Sequence, residues 1–560
     1  MPKLYEALAE AFLAEGADTQ FVLMGDGNMH WSTAFAKLPG VETVHVRHEH
    51  ATVAAATAYN VATNKIAVAS VTCGPGVTQL MTALPAAVRA RLPMVVFAGE
   101  SPINAKFYNQ AIDQAPLVTA TGAHYIAAHS VPRMMDYVRE AFHVAKDERR
   151  PVVLGIPYDL QKVEHMSNQP YETSEMYKPK VGRMHPDPEL VAEAVERLAS
   201  AKRPIILGGR GVMWSGARDA VIKLADRCGA LLSNTLPARG LFHDHPFGLG
   251  ITGSYFTSLG REMYESADVV LAVGTSLSYY VGGGHFWPKA YKIQLDDAPR
   301  GLRDGMRAAD LYVKSDALVG AEAILAGLDK KLGAGKPTAA AIRTKDLAHR
   351  IATEPADSME FDVAPGVLDP RKVITALDAV IPKDWDIVVG GGHQAYFNAQ
   401  MRGRPAERYT TVREFGAVGN GLCYALGVAA ARRQGSQGKV VLFEGDGGLM
   451  FHIQELETLK RQGYRILICA MNDGGYGSEF HKLRADGLDD RWAVFGRPAF
   501  ENIARGFGLR GNEIRDVSVI PKLFADFTAQ GEAEIWNIQI SDQVTAPVMR
   551  QTVKRGHGNM

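Results

Sequence analysis

KVVLFEGDGGLMFHIQELETLKRQGYRILICAMNDGGYG, residues Lys439 to Gly477, holds two apolar runs separated by an amphipathic segment. The first run, Val440 to Phe443, ends in Glu444-Gly445-Asp446-Gly447-Gly448. Ile453, Leu456 and Leu459 follow at helical spacing. The second run, Ile466 to Met471, ends in Asn472-Asp473-Gly474-Gly475. Strand, helix, strand predicts parallel neighbours joined by a right-handed crossover. Both polar clusters then fall at the carboxyl ends of strands, where ligands bind in open α/β sheets. Asp446 and Asp473 are expected side by side, with glycine backbone around them. Two short oxygen ligands plus exposed carbonyls suit Mg²⁺, which favours octahedral oxygen and commonly also holds a substrate phosphate. The glycines let backbone N–H groups approach such a phosphate closely.

The same rhythm recurs on either side. At 560 residues the chain has room for about three to four domains. Residues 1–175 read as one α/β unit. Its strand Phe21 to Met24 ends in Gly25-Asp26-Gly27-Asn28, and its strand Glu42 to Val46 ends at Arg47-His48-Glu49-His50. An Ala-rich helix, Ala51 to Ala62, comes next, and the strand Ile66 to Val71 ends in Thr72-Cys73-Gly74-Pro75-Gly76. Residues 186–330 form a second unit of short apolar strands, and residues 366–548 a third that contains the opening stretch. Polar, Pro-containing segments at 165–185 and 330–365 read as linkers, and the basic tail from Arg550 as loose. The expected fold class is α/β, with three doubly wound parallel-sheet domains.

Composition narrows the function. Lys and Arg total 61 and so do Asp and Glu, which removes the electrostatic case for nucleic acid or an anionic membrane. No apolar run approaches the roughly 20 residues needed to span a bilayer. The N-terminal helix carries acidic residues, unlike a signal peptide. Cys73, Cys228, Cys423 and Cys469 are dispersed, as buried free thiols in a reducing compartment would be. A cytoplasmic protein without nucleic-acid or membrane partners is expected. A nicotinamide site is excluded because Gly208-Gly209-Arg210-Gly211 lacks the G-x-G-x-x-G spacing.

The GDG of residues 445–447, followed some two dozen residues later by Asn472-Asp473, resembles the diphosphate and Mg²⁺ motif of thiamine-diphosphate enzymes. The three-part order resembles the pyruvate decarboxylase and acetolactate synthase family across nearly the whole chain. The resemblance implies a pyrimidine-binding domain, a middle domain and a diphosphate-binding domain, in that order. It implies Mg²⁺ on Asp446, Asp473 and the Gly475 carbonyl, with Gly445, Gly447, Gly448 and Tyr476 around the diphosphate. Asp473 departs from the family's usual Asn. Glu49 matches the family's activating glutamate, which shares a proton with the aminopyrimidine, and Gly74 lies in the turn that follows it in the pattern. In REFGAVGNG the carbonyl of Gly416 and the side chain of Val418 match the turn that props the cofactor rings. Val is smaller than the family's usual residue, though branched and stiff.

Reaction type rests on fewer residues. Asp26 and Glu479 match acidic positions that manage protons in the decarboxylases, and two carboxyls in one pocket divide into an acid and a base. The decarboxylases' adjacent His-His pair is missing. His30, His393 and His481 are the proton donors to test. Ile112-Asp113-Gln114-Ala115-Pro116 resembles a synthase segment whose Gln lies near the active site, which nominates Gln114 or Asp113. FAD is predicted absent, because Gly274 is followed by Thr-Ser-Leu-Ser-Tyr-Tyr and Thr252 stands where the synthases carry His.

The expected activity is C–C bond cleavage or formation on a 2-oxo acid or 2-hydroxy ketone, as in an acetolactate-synthase-like carboligase. The alternatives are a simple 2-oxo acid decarboxylase, an acyl-CoA lyase whose tail residues Arg550, Lys554 and Arg555 meet CoA phosphates, and a cofactor-binding regulator without turnover. A homodimer is implied as the smallest active unit and a homotetramer as the assembly.

Overall fold

The computed structural model describes residues 1–167, 169–278, 281, 287–298, 302–303, 306–333, 342–432 and 439–550. The chain forms two compact units. One comprises Met1–Pro179, Val363–Ala395 and Thr410–Asp542, the other Lys180–Asp362, Tyr396–Tyr409 and the chain from Gln543.

The first unit is built on two six-stranded sheets. One holds β1 (Thr19–Val22), β2 (Glu42–His45), β3 (Val68–Val71), β4 (Met94–Glu100), β5 (His124–Ala127) and β6 (Pro151–Pro157), in the order β2-β1-β3-β4-β6-β5. Every pairing is parallel. Such strands need apolar residues on both faces, and all four residues of β3 and all seven of β6 are buried.

The second unit carries the middle sheet. Its strands are β7 (Pro204–Gly208), β8 (Leu231–Asn234), β9 (Gly248–Ile251), β10 (Val269–Val273), β11 (Tyr291–Asp296) and β12 (Leu311–Lys314), in the order β12-β11-β10-β7-β8-β9. The third sheet holds β13 (Asp386–Val389), β14 (Tyr409–Thr410), β15 (Val440–Gly445), β16 (Ile466–Asn472), β17 (Arg510–Ile514) and β18 (Glu534–Gln539), in the order β14-β13-β15-β16-β18-β17. The strands of the opening stretch, β15 and β16, pair in parallel with Val440 opposite Ile466 and Gly445 opposite Met471.

The first and third sheets share one unit because two helices with small side chains meet between them. Ala51, Ala54, Ala55 and Ala58 of helix Glu49–Thr63 lie in one apolar core with Leu422, Cys423, Leu426 and Ala429 of helix Gly421–Arg432. A Cβ at Gly427 would lie 2.0 Å from the Ala55 carbonyl oxygen, so the backbones touch and only glycine fits.

The expected linkers are more structured than their composition suggests. In the first, the Ser174 backbone N–H donates to Glu15 at 2.6 Å and the Tyr171 hydroxyl at 2.9 Å. Glu15 is buried and also paired with Lys146 at 3.1 Å. In the second, helix Lys345–Thr353 starts at Thr344, whose hydroxyl accepts the Leu347 N–H, and it buries Leu347. Residues 334–341 of that linker lie outside the described residues. Arg550, expected in a loose tail, is ion-paired with Asp357 at 2.8 Å; Lys554 and Arg555 lie outside the described residues, as do Tyr279 and Tyr280 of the run after Gly274. All four cysteines are buried free thiols. Among the described residues no helix is long and apolar enough to cross a membrane.

Candidate active site

The carboxyl ends of β15 and β16 bring the two predicted metal ligands together. Asp446 opens the helix Asp446–Phe451 and is 1% exposed. One of its carboxylate oxygens accepts the Gly447 N–H at 2.8 Å and the other the Gly474 N–H at 2.7 Å, which links the two polar turns. Burial pushes Asp446 up to about 6. Asp473 is pushed well above the usual carboxylate range by burial and then by Asp446 beside it. Two adjoining carboxyls with raised proton affinity, Asp446 buried and Asp473 partly buried, form a site that a divalent cation would stabilise. Among the described residues no three His, Cys, Asp or Glu side chains form a cage by themselves. The donors present, two carboxylates and backbone carbonyls, fit a hard cation that shares its remaining positions with phosphate. The turns are too tight for side chains: a Cβ at Gly447 would lie 2.7 Å from the Tyr476 ring, and one at Gly475 2.5 Å from the Ala493 carbonyl oxygen.

Glu444, the penultimate residue of β15, was read only as the start of the polar cluster that closes the apolar run. It is fully buried, and burial pushes it up to about 8. It accepts the Gly421 N–H at 2.9 Å and the Gly445 N–H at 3.1 Å. A Cβ at Gly390, Gly421 or Gly448 would strike its carboxyl, at 1.9, 2.2 and 2.6 Å. Glu444 thereby braces the start of helix Gly421–Arg432 against the Asp446 turn. The Gly416–Gly419 turn precedes that helix. Gly416 has a φ of +75°, and Val418 is 40% exposed. A charged residue closing an apolar strand just before a glycine turn was the available signal.

The other group lies at the carboxyl ends of β1, β2 and β3. The Gly27 N–H donates to the Thr72 hydroxyl at 3.1 Å, which fixes the loop of Asp26 against Thr72-Cys73-Gly74. Asp26 is exposed and accepts from the Tyr108 hydroxyl at 3.3 Å. Gln114 is buried, and its amide is fully engaged. It accepts the Gly74 N–H at 2.8 Å and donates to the Gly99 carbonyl at 3.1 Å and the Tyr125 hydroxyl at 3.2 Å. It holds the Gly74 turn rather than facing open space. Asp113 caps helix Gln114–Ala120. His30, on helix Met29–Ala36, packs against Tyr5 with ring centroids 5.6 Å apart, and burial, then Lys162, lowers its proton affinity.

Glu49 is the first residue of helix Glu49–Thr63. It is partly exposed, and its carboxyl has no hydrogen-bond or ion-pair partner among the described residues. Its neighbours are fixed. The His50 ring lies 2.6 Å from Asn420 Oδ1 and stacks on His452, with centroids 4.7 Å apart. His452 was not foreseen. Burial, then His50 and His48, lowers it to about 3, whereas an unfolded histidine titrates near 6.5. The folded value is the lower one, so this contribution to stability is intact above about pH 6.5 and is lost progressively as pH falls below it. His452→Asn should therefore lose less stability than wild type, by about 1.4 kcal/mol per pH unit at most between about pH 6 and 4. Urea midpoints across that range measure the difference; parallel curves would show that His452 does not stay neutral in the fold.

Of the remaining candidates, His393 and His481 come together, with centroids 4.6 Å apart, and burial lowers both, His481 to about 4. His393 borders the metal site: a Cβ at Gly477 would lie 2.8 Å from an Asp473 carboxylate oxygen and 3.0 Å from His393 Cβ. Glu479 is 57% exposed at the start of helix Gly477–Ala485, 3.8 Å from Lys482 Nζ.

Profiles of three domains match the chain in this same order. Residues 2–117 match the thiamine pyrophosphate enzyme N-terminal TPP binding domain, 191–324 the central domain and 390–533 the C-terminal TPP binding domain. The chain belongs to the thiamine pyrophosphate enzyme family. The first and third sheets are its cofactor-binding domains, and the turns around Glu49 and Asp446 fall within the matched residues. Among similar members, the probable acetolactate synthase large subunit of Methanococcus aeolicus is 26% identical over 92% of this chain and 88% of its own length. The acetolactate synthase large subunit of Parasynechococcus marenigrum (strain WH8102) is 28% identical over 91% of this chain and 83% of its own. The probable 2-ketoarginine decarboxylase of Pseudomonas aeruginosa is 27% identical over 94% of this chain and 92% of its own. A thiamine pyrophosphate enzyme with these relatives works as a lyase or transferase of the decarboxylase or carboligase type.

Proposed function

We propose that this enzyme uses thiamine diphosphate and Mg²⁺ to cleave or form C–C bonds on 2-oxo acids or 2-hydroxy ketones, as an acetolactate-synthase-like carboligase. The observation that carries it is the pair of adjoining carboxyls, Asp446 and Asp473, at adjacent strand ends, with a free carboxyl, Glu49, on the other cofactor-binding sheet. Asp446, Asp473 and the Gly475 carbonyl would hold Mg²⁺. Gly445, Gly447, Gly448 and Tyr476 would receive the diphosphate. The Gly416 carbonyl, Val418 and the Gly74 turn would hold the rings. When bound, the thiazolium supplies the electron sink for breaking or making the bond.

The chain's own residues supply position and protons. Glu49 holds a proton at the aminopyrimidine nitrogen. Asp26, with Tyr108 on it, and Glu479 would give or take protons at substrate oxygen and carbon. Val418, Phe451 and Trp492 are exposed around the diphosphate turn. That apolar surface supports a site completed by a second copy, with a homodimer as the working unit and a homotetramer as the assembly. Flavin is not part of this reading. Arg550, held by Asp357, gives no support to acyl-CoA recognition.

Simple decarboxylation is the second reading, favoured by acidic residues at both 26 and 479. Product analysis separates the two. With Mg²⁺ and thiamine diphosphate, a panel of 2-oxo acids should release CO₂ with acyloin or acetohydroxy acid in comparable amount. Aldehyde with no ligated product would select the decarboxylase, and no CO₂ from any 2-oxo acid together with no cleavage of any 2-hydroxy ketone would overturn both.

A further inference from the structure

Glu49 stands between neighbours that are held by the diphosphate-binding part of its own chain. Before it, the Arg47 N–H donates to Glu455 Oε1 at 2.9 Å, and the His48 N–H reaches the same carboxylate. Glu455 is fully buried at the start of helix Glu455–Gln462, and Thr458 donates to its other oxygen at 2.7 Å. After it, His50 is fixed by Asn420 at 2.6 Å and by the stacked ring of His452. Asn420 in turn donates to the Tyr424 hydroxyl at 3.1 Å. His48 closes the arrangement by accepting the His50 N–H at 3.1 Å. Every residue flanking Glu49 is therefore tied down, while the Glu49 carboxyl itself is left without a partner among the described residues. Both anchors also belong to segments assigned above to the cofactor. Asn420 follows the Gly416–Gly419 turn, and His452 ends the helix that Asp446 begins.

We propose that Glu455, Asn420 and His452 form a clamp on Arg47, His48 and His50 that aims the Glu49 carboxyl at the cofactor. These are positioning residues: they act through the backbone on either side of Glu49. The clamp joins the first sheet's acid to both cofactor-holding turns of the third sheet. A shift of about 1 Å in such an acid is enough to change a rate on the order of 100-fold. The inference rests on the assignment of Glu49 as the activating carboxyl.

The test reads the cofactor's C2 proton, whose exchange with deuterium reports Glu49 directly and needs no substrate. The enzyme is loaded with thiamine diphosphate and Mg²⁺, mixed with D₂O, quenched in acid and followed by NMR. Cofactor affinity by tryptophan quenching and the melting temperature of the cofactor-free chain are measured alongside. Glu455→Gln and His50→Ala should slow exchange by about 10- to 100-fold, with affinity and melting temperature close to wild type. His50→Gln, which can still donate to Asn420, should recover most of the rate. If Glu49→Gln slows exchange but Glu455→Gln and His50→Ala do not, the clamp is overturned and the role of Glu49 stands. Losses of exchange fully matched by losses of cofactor affinity would also overturn it. Wild-type exchange in Glu49→Gln would remove both.

Discussion

Glu49→Gln should abolish productive turnover while leaving the cofactor bound. The side chain is partly exposed at a helix start and has no partner among the described residues, so its replacement breaks no bond of the fold. Gln keeps the size and removes the proton. A positioned acid or base contributes about 10²- to 10⁴-fold, and the rate should fall by that much. The affinity for thiamine diphosphate and Mg²⁺, set by the Asp446 and Asp473 turns on another sheet, should change little. CO₂ release under cofactor saturation, with a cofactor titration of the same sample, measures both. Undiminished turnover would remove the mechanism.

The second large effect separates the two aspartates of the metal site. Asp446 accepts a backbone N–H on each of its oxygens, from Gly447 and from Gly474. In Asp446→Asn one of those donors faces an NH₂ group. A charged-group hydrogen bond is worth about 1.5–3 kcal/mol, so cofactor affinity in Mg²⁺ should fall about 10- to 100-fold even before the lost metal charge is counted. Asp473→Asn should behave in the opposite way. Burial, and then Asp446 beside it, holds the Asp473 carboxyl well above the usual carboxylate range. Its folded proton affinity lies above the unfolded one, so ionising it costs stability as pH rises above about 4. Asn removes that cost, and its amide oxygen can still meet the metal. The metal-free variant should melt higher than wild type near neutral pH and bind cofactor and Mg²⁺ about as well. Calorimetric titration and melting curves of the two variants test the contrast; equal damage from both would mean that Asp473 is an essential anionic ligand.

Much of this site was legible because its signals are local. Apolar runs four to seven residues long, each closed by a glycine-aspartate cluster, can hardly be anything but buried parallel strands with turns at one edge. That pattern puts Asp446 and Asp473 at neighbouring strand ends, whereas Asp26 and Glu49 were nominated by the resemblance to the family. What was missed has a common character. Glu455 and Arg47 are 408 residues apart. Glu444 looks like one polar residue at the end of a strand until three glycines are found around its carboxyl. Gln114 was read as lying near the active site, and the partners of its amide, on the Gly74 turn, Gly99 and Tyr125, are recorded by no local pattern.

The sequence by itself determined the three α/β sheets and the strand ends that carry carboxylates, because hydrophobic period and glycine placement act over a few residues; the cofactor class came from the resemblance of its motifs to the thiamine-diphosphate enzymes. Tertiary structure alone decided that the first and third sheets close into one unit through backbone contact at Ala55 and Gly427. It also assigned Tyr396–Tyr409 to the other unit and placed the neighbours of Glu49 in the grip of Glu455, Asn420 and His452. The physical reason is that a buried polar side chain is specified by whichever distant group satisfies it, and no local pattern records that partner.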